Sequence, residues 1–202
     1  MPLEILVKER QRVYEVEAAL SAMASVFGWS PGNVAYASTP VTSGRRMLDV
    51  FTRHKVRSAD ELTAIDKDAF HRDIFTPNLK EGEEFAHTLR ASGAYVEVIC
   101  PVTFYAKGWK QEHYILLWEQ VIERFAGDIH FNSDWVYSNG CVEEFLTGAK
   151  LNKKLLEAGS PVDVRKVPER LRKAIEETAA LGVDVSRLVA AYRSLELQLY
   201  KR

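Results

Sequence analysis

Apolar positions along this chain alternate between helical spacing and short continuous runs, and the switches mark out the elements. From Leu3 to Phe27 the apolar residues Leu6, Val13, Val16, Leu20 and Met23 recur at helical intervals, predicting an amphipathic helix that ends near Gly28. VAYAS, Val34 to Ser38, is a short apolar run between turn residues and reads as a buried strand. The loop TPVTSGRR follows it, and MLDVFTRH starts a helix. Residues 58 to 79 are polar and mixed, with Ser58 and Glu61 spaced as a capping box. Pro77-Asn78 is expected to break the chain before a helix from Lys80 to Ser92. The Gly93 turn leads into a second strand, YVEVICP, and then into an aromatic loop from Phe104 to Lys110. A helix over Gln111 to Phe125 and a third strand over Asp128 to Phe131 come next. A helix from Cys141 to Glu157 is expected, with PVDV after Gly159 as a fourth strand. Two tail helices, Pro168 to Leu181 and Val185 to Tyr200, are separated by Gly182.

Strands that alternate with helices predict an α/β fold. The expectation is a doubly wound, Rossmann-like (flavodoxin-like) parallel sheet of four to five strands, with extra helices at both ends. The organisation reads as an N-terminal helix over residues 1–30 packed on the core, an α/β domain over 31–165 and a C-terminal helical extension over 166–202. The loops STPVTSGRR, PVTFYAKGW and NSDWVYSNG then fall together at the carboxyl ends of the strands, where open α/β sheets place their ligands.

Composition adds little beyond exclusions. With 47% hydrophobic and 27% charged residues, the 202-residue chain is ordinary for a globular protein, and its net charge of −1 gives no argument for nucleic acid or an acidic membrane. The two cysteines, Cys100 and Cys141, form no CxxC pair, which fits free thiols in a reducing cytoplasm. The charged N-terminus reads as neither a signal peptide nor a membrane span. The five histidines show no metal-ligand spacing, so neither metal nor cofactor is expected.

The stretch DIHFNSDWVYSNGCVEE carries the candidate chemistry. A strand runs into a loop, then Ser138-Asn139-Gly140, then a helix start with Glu143 and Glu144. Gly140 lets backbone approach a ligand, and the helix N-terminus offers unpaired N–H groups that suit a phosphate. Glu144, one turn in, points at whatever sits there. The competing reading is a solvated first-turn acid, with Ser138 a plain cap. Cys141 sits where a helix favours a thiolate, yet with no base nearby it is expected to be a packing residue.

Three motifs, YASTPVTSG, WKQEHY and GDIHFNSDWVYSNGCVEE, together resemble the nucleoside 2-deoxyribosyltransferase superfamily. They are most similar to a branch of bacterial and phage domains with the patterns Y-x-x-x-P-x-T-G, W-x-x-Y-M and C-D-x-x-x-x-L-x-x-W-x-x-S-x-G-x-x-x-E. The chain is also similar to the 2′-deoxynucleoside 5′-monophosphate N-hydrolases, through Gly44-Arg45 and the Ser-x-Gly-x-x-x-Glu motif at Ser138, Gly140 and Glu144. The resemblance covers about residues 33 to 165.

What it implies is N-glycosidic bond cleavage. Glu144 would be the nucleophile on the anomeric carbon, as the carboxylate is in retaining glycosidases. Ser138 would hold a 5′-phosphate, pointing to a 2′-deoxynucleoside 5′-monophosphate hydrolysed to base and sugar phosphate. Where the family carries an Asp on the preceding helix, this chain has Gln120, which cannot transfer a proton, flanked by Glu119. Further substrate contacts are expected from Ser38, Thr39, Pro40, Thr42, Gly44 and Arg45 in the first loop, and from Asn139 and Gly140. Tyr105, Trp109 and Trp135 are candidates to stack on a base. The alternatives are base exchange between deoxynucleosides and a module that binds a nucleotide or NAD-derived ligand without turnover. A homodimer or higher homo-oligomer is expected, with Leu188, Tyr192, Leu195 and Leu199 as an apolar face.

Overall fold

The computed structural model describes residues 3–199 apart from 33 and 96, with side chains described from residue 8 to residue 197. One sheet holds five strands in the order β2-β1-β3-β4-β5. They are β1 Val34–Ser38, β2 Glu97–Ile99, β3 Ala126–Phe131, β4 Lys154–Glu157 and β5 Ser160–Pro161. The first four are parallel and β5 returns antiparallel to β4. Around them lie α1 Leu3–Phe27, α2 Arg45–His54, α3 Ala59–Ile65, α4 Thr76–Ala91, α5 Gln111–Arg124, α6 Asn139–Lys150, α7 Val167–Ala180 and α8 Ser186–Leu199. This is the doubly wound, Rossmann-like α/β class that the alternating pattern predicts.

β1 is buried along its whole length and its two faces differ. Ala35 and Ala37 pack with Val98, Cys100 and Ala86 of α4, where small side chains let the helix come close. Val34 and Tyr36 face the larger core shared with α5 and α6, through Leu117, Val121 and Phe145. Because strand side chains alternate, Ser38 lies on the same face as Tyr36. The chain leaves β1 toward α4 on one face and β3 toward α6 on the other. The crevice between the carboxyl ends of β1 and β3 is therefore the switch point where this topology binds ligands.

Three boundaries differ from the sequence-based expectation. α6 stops at Lys150, where Asn152 adopts a left-handed conformation and turns the chain. Residues 154–157 then pair with β3 as the fourth strand, burying Leu155 and Leu156 on opposite faces. Of PVDV only Pro161 is in β5, opposite Leu156, and the Val162 N–H donates to the Leu155 carbonyl at 2.9 Å before the chain leaves the sheet. Pro77 does not break the chain: it sits in the first turn of α4, where its missing donor costs nothing, and a π-helical turn, His71–Phe75, leads directly into it. Ser58 does cap α3, accepting from the Glu61 N–H at 3.1 Å.

The end helices complete the same core. Val16 and Leu20 of α1 are buried against α5, and Leu171 of α7 and Leu188 and Leu195 of α8 are buried in the same core, with α8 packed on α6 and α7. The α8 stripe expected to meet a second subunit is thus covered by its own chain, with Leu188 and Leu195 buried; the Leu199 side chain lies outside the described residues. Among the described residues, no helix is long and apolar enough to cross a membrane.

Candidate active site

A cleft of about 570 Å³ opens at the carboxyl edge of the sheet, a volume suited to a small ligand. Its floor is Glu144. The Tyr36 hydroxyl donates to one carboxylate oxygen at 2.6 Å, and the Ser38 hydroxyl donates to the other at 2.6 Å. Both donors come from one face of β1, and α6 lays its second turn across that face, so strand period and helix placement together build the clamp. Protein surrounds the carboxylate although part of Glu144 still faces the cleft. Burial pushes its pKa up to about 7 and the nearby Glu143 adds to the rise, while the Ser38 and Tyr36 hydroxyls pull the other way. The same burial holds Tyr36 in its neutral, donating form.

The walls are mixed. Thr39, Thr42 and Ser43 of the first loop face Pro101, Phe104 and Tyr105 of the second. Tyr114, Trp118 and Glu119 come from α5, and Ser138, Gly140 and Cys141 from the start of α6. His71 and Phe75 of the π-helical turn close another side, an irregularity often found at functional sites. The first α6 N–H to bond back along the helix is that of Val142, to Ser138, so the helix end faces the cleft with donors to spare. A Cβ at Gly140 would meet nothing within 4 Å, so this backbone is open to a ligand. Ser43 donates to the Ser138 hydroxyl at 3.1 Å, and the buried Thr39 hydroxyl has no partner among the described residues.

The fold brings only part of the expected set together. Glu144, Glu119, Thr39, Thr42, Tyr105, Ser138 and Gly140 line the cleft, and Ser38 acts from beneath it. Gln120 does not line it; its side-chain oxygen is buried without a partner among the described residues, and Glu119 takes the cleft position instead. Burial and Glu143 raise the Glu119 pKa, with Lys150 opposing them. Trp135 is a core residue and not a stacking platform: Asp134, at φ 58°, turns the chain so that the indole is fully buried against Phe131 and Phe145. Trp109 stands behind Phe104 and stacks on His113. Asn139 lies off the cleft with its amide oxygen buried and unpartnered among the described residues.

Arg45 is drawn away by the Glu177 carboxylate of α7 and the Tyr137 hydroxyl. It lines a separate, shallower cleft of about 370 Å³ together with Pro40 and Arg46. Gly44 caps α2 at φ 97°, close against Pro40, and so serves the turn; a Cβ there would come within 2.8 Å of the proline. Cys141 is buried and its thiol is pushed up to about 12, first by burial and then by Glu144, so it packs as a neutral group.

Sequence reading missed two participants. Tyr36 looked like core, and it is core, but its hydroxyl reaches Glu144; its i, i+2 spacing to Ser38 was the available signal. Glu143, which helix spacing turns about 100° away from Glu144, also lines the cleft. One Glu143 oxygen accepts from Arg187 at 2.6 Å, and the other is buried with no partner among the described residues. No protein-family model, curated protein or solved structure matches this chain.

Proposed function

We propose that the cleft cleaves the N-glycosidic bond of a nucleotide or nucleoside, with Glu144 as the nucleophile. The observation that carries this is the Glu144 carboxylate itself, clamped by two hydroxyls on the floor of an aromatic-walled cleft. Both donors favour the ionised form and fix its orientation, as attack on an anomeric carbon requires. The aromatic walls suit a heterocycle. For a 5′-phosphate, Ser138 and the α6 N-terminus form the seat, with water as acceptor and sugar phosphate and free base as products. Glu119, which lines the same cleft, would take the proton of that water.

A second reading, action on a free nucleoside by hydrolysis or base exchange, is favoured by one observation. Among the described residues that line the cleft there is no lysine or arginine to meet a phosphate. The test is chromatography of free base after incubation with each deoxynucleoside and each deoxynucleoside 5′-monophosphate, with Glu144→Gln as control. Base released by the parent and not by the variant supports the proposal, and the favoured partner set separates the two substrates. No release from any of them leaves a binding module as the better account.

A further inference from the structure

The charge pattern of the Glu144 cleft narrows its ligand further. Glu119, Glu143 and Glu144 all line it, and none of the described lining residues is a lysine or arginine. Two cations act from outside the lining: Arg187 of α8 holds one oxygen of Glu143, and Lys150 acts on Glu119. The second Glu143 oxygen is buried without a donor among the described residues. Glu143 acts on both other acids, and of the three only Glu143 has an ion-pair partner among the described residues. Phe104, Tyr105, Tyr114 and Trp118 offer aromatic surface to the same space. Carboxylates with spare acceptor capacity beside aromatic rings stabilise a delocalised organic cation, by Coulomb attraction in a poorly hydrated site and by cation–π contact. A phosphate meets repulsion from the same three groups, which the α6 N-terminus offsets in part.

We infer that the preferred ligand is an N-glycoside whose heterocycle carries a formal positive charge, such as an N-glycosylpyridinium or an N7-alkylated purine nucleoside. This rests on the N-glycosidase reading of Glu144. The step balances without an acid at the leaving group. The Glu144 carboxylate bonds to the anomeric carbon as the C–N bond breaks. The bonding pair passes to the ring nitrogen, which discharges the cation and frees a neutral heterocycle with no proton moved. Water then attacks the glycosyl ester, its proton passes to Glu119 and on to solvent, and the sugar leaves with Glu144 restored. The neutral product has lost the charge that held it in the acidic cleft, so release follows from the same electrostatics.

Two assays on the full chain test this. Calorimetry compares 1-methylnicotinamide, a cation, with nicotinamide, its neutral counterpart; chromatography compares cleavage of nicotinamide riboside with that of inosine. The cation is expected to bind tighter by about tenfold or more, and nicotinamide riboside to be the better substrate. Glu143→Gln should erase most of the binding preference, and Glu119→Gln, which leaves Arg187 paired, should reduce it independently. Equal affinity for the two probes, or no binding of either, overturns the inference. Cleavage of inosine in preference to nicotinamide riboside also overturns it, while leaving the N-glycosidase reading standing. Cation-selective binding with no cleavage of either glycoside overturns the N-glycosidase reading, and the substrate assignment with it.

Discussion

Glu144 should destabilise the protein in a way that depends on pH, and Glu144→Gln measures it. The folded-state pKa is raised from 4.5 to about 7, chiefly by burial, so folding favours the protonated carboxyl. Relative to the charged form, that preference is fully present below pH 4.5 and is lost as pH rises through about 7. Above pH 7 the buried charge costs about 3 kcal/mol, taking ~1.4 kcal/mol per pH unit. Glutamine has the shape of the neutral acid, can accept from Tyr36 and donate to Ser38, and does not titrate. The variant should therefore match the parent near pH 4.5 and exceed it by about 3 kcal/mol at pH 8. In a chain of this size that corresponds to a Tm higher by roughly 6–12 °C. Scanning calorimetry of parent and variant from pH 4.5 to pH 9 reads the difference, in which other titrating groups cancel. A gap that does not change with pH, or a variant less stable than the parent at pH 8, would show that Glu144 is not buried as a destabilising charge.

Other consequences follow from the same geometry. Tyr36→Phe removes one of the two donors to Glu144, a charge-assisted bond worth about 1.5–3 kcal/mol, and should raise the Glu144 midpoint by about one to two pH units. The infrared carboxyl stretch across a pH titration reads that shift, and an unchanged or lower midpoint would contradict it. Glu143→Gln removes the like charge and should lower the Glu144 midpoint below about 7, by the same measurement. Its effect on turnover should be far smaller than that of Glu144→Gln, which should cost several orders of magnitude in kcat. Trp135→Ala should cost about 3–5 kcal/mol of stability in urea unfolding, because it empties a fully buried site between Phe131 and Phe145. A loss under ~1 kcal/mol would argue that the ring is not packed there.

The sheet was legible because its strands announce themselves. VAYAS and the apolar run after Asp128 are short and bounded by turn residues, and the helices between them force a parallel sheet. β4 was not legible because Lys154–Glu157 follows α6 after only three residues, and nothing in LNKKLLE marks the turn until Asn152 adopts its left-handed conformation. The π-helical turn before Pro77 was hidden in a polar stretch, yet it sends His71 and Phe75 into the cleft. For the site, motif spacing located Glu144, Ser138 and Gly140 because they sit close together on one loop and helix start. Contacts across the fold were not legible. Arg45 reads as a free cation until Glu177, far along the chain, claims it, and the Tyr36 hydroxyl reads as core until α6 lies across β1. Trp135 looked ligand-facing from its loop, but one left-handed residue before it points the indole inward.

Whether Glu144 forms a covalent bond to an anomeric carbon is read by intact mass spectrometry after incubation with 2′-deoxy-2′-fluoroarabinosyl nucleosides bearing each natural base or nicotinamide, since fluorine beside the anomeric carbon slows hydrolysis of the glycosyl ester. The expected result is a mass increase of one fluorosugar, mapped by peptide digestion to Glu144 and absent from Glu144→Gln. No adduct from any of these compounds, or an adduct that persists in Glu144→Gln, would contradict it.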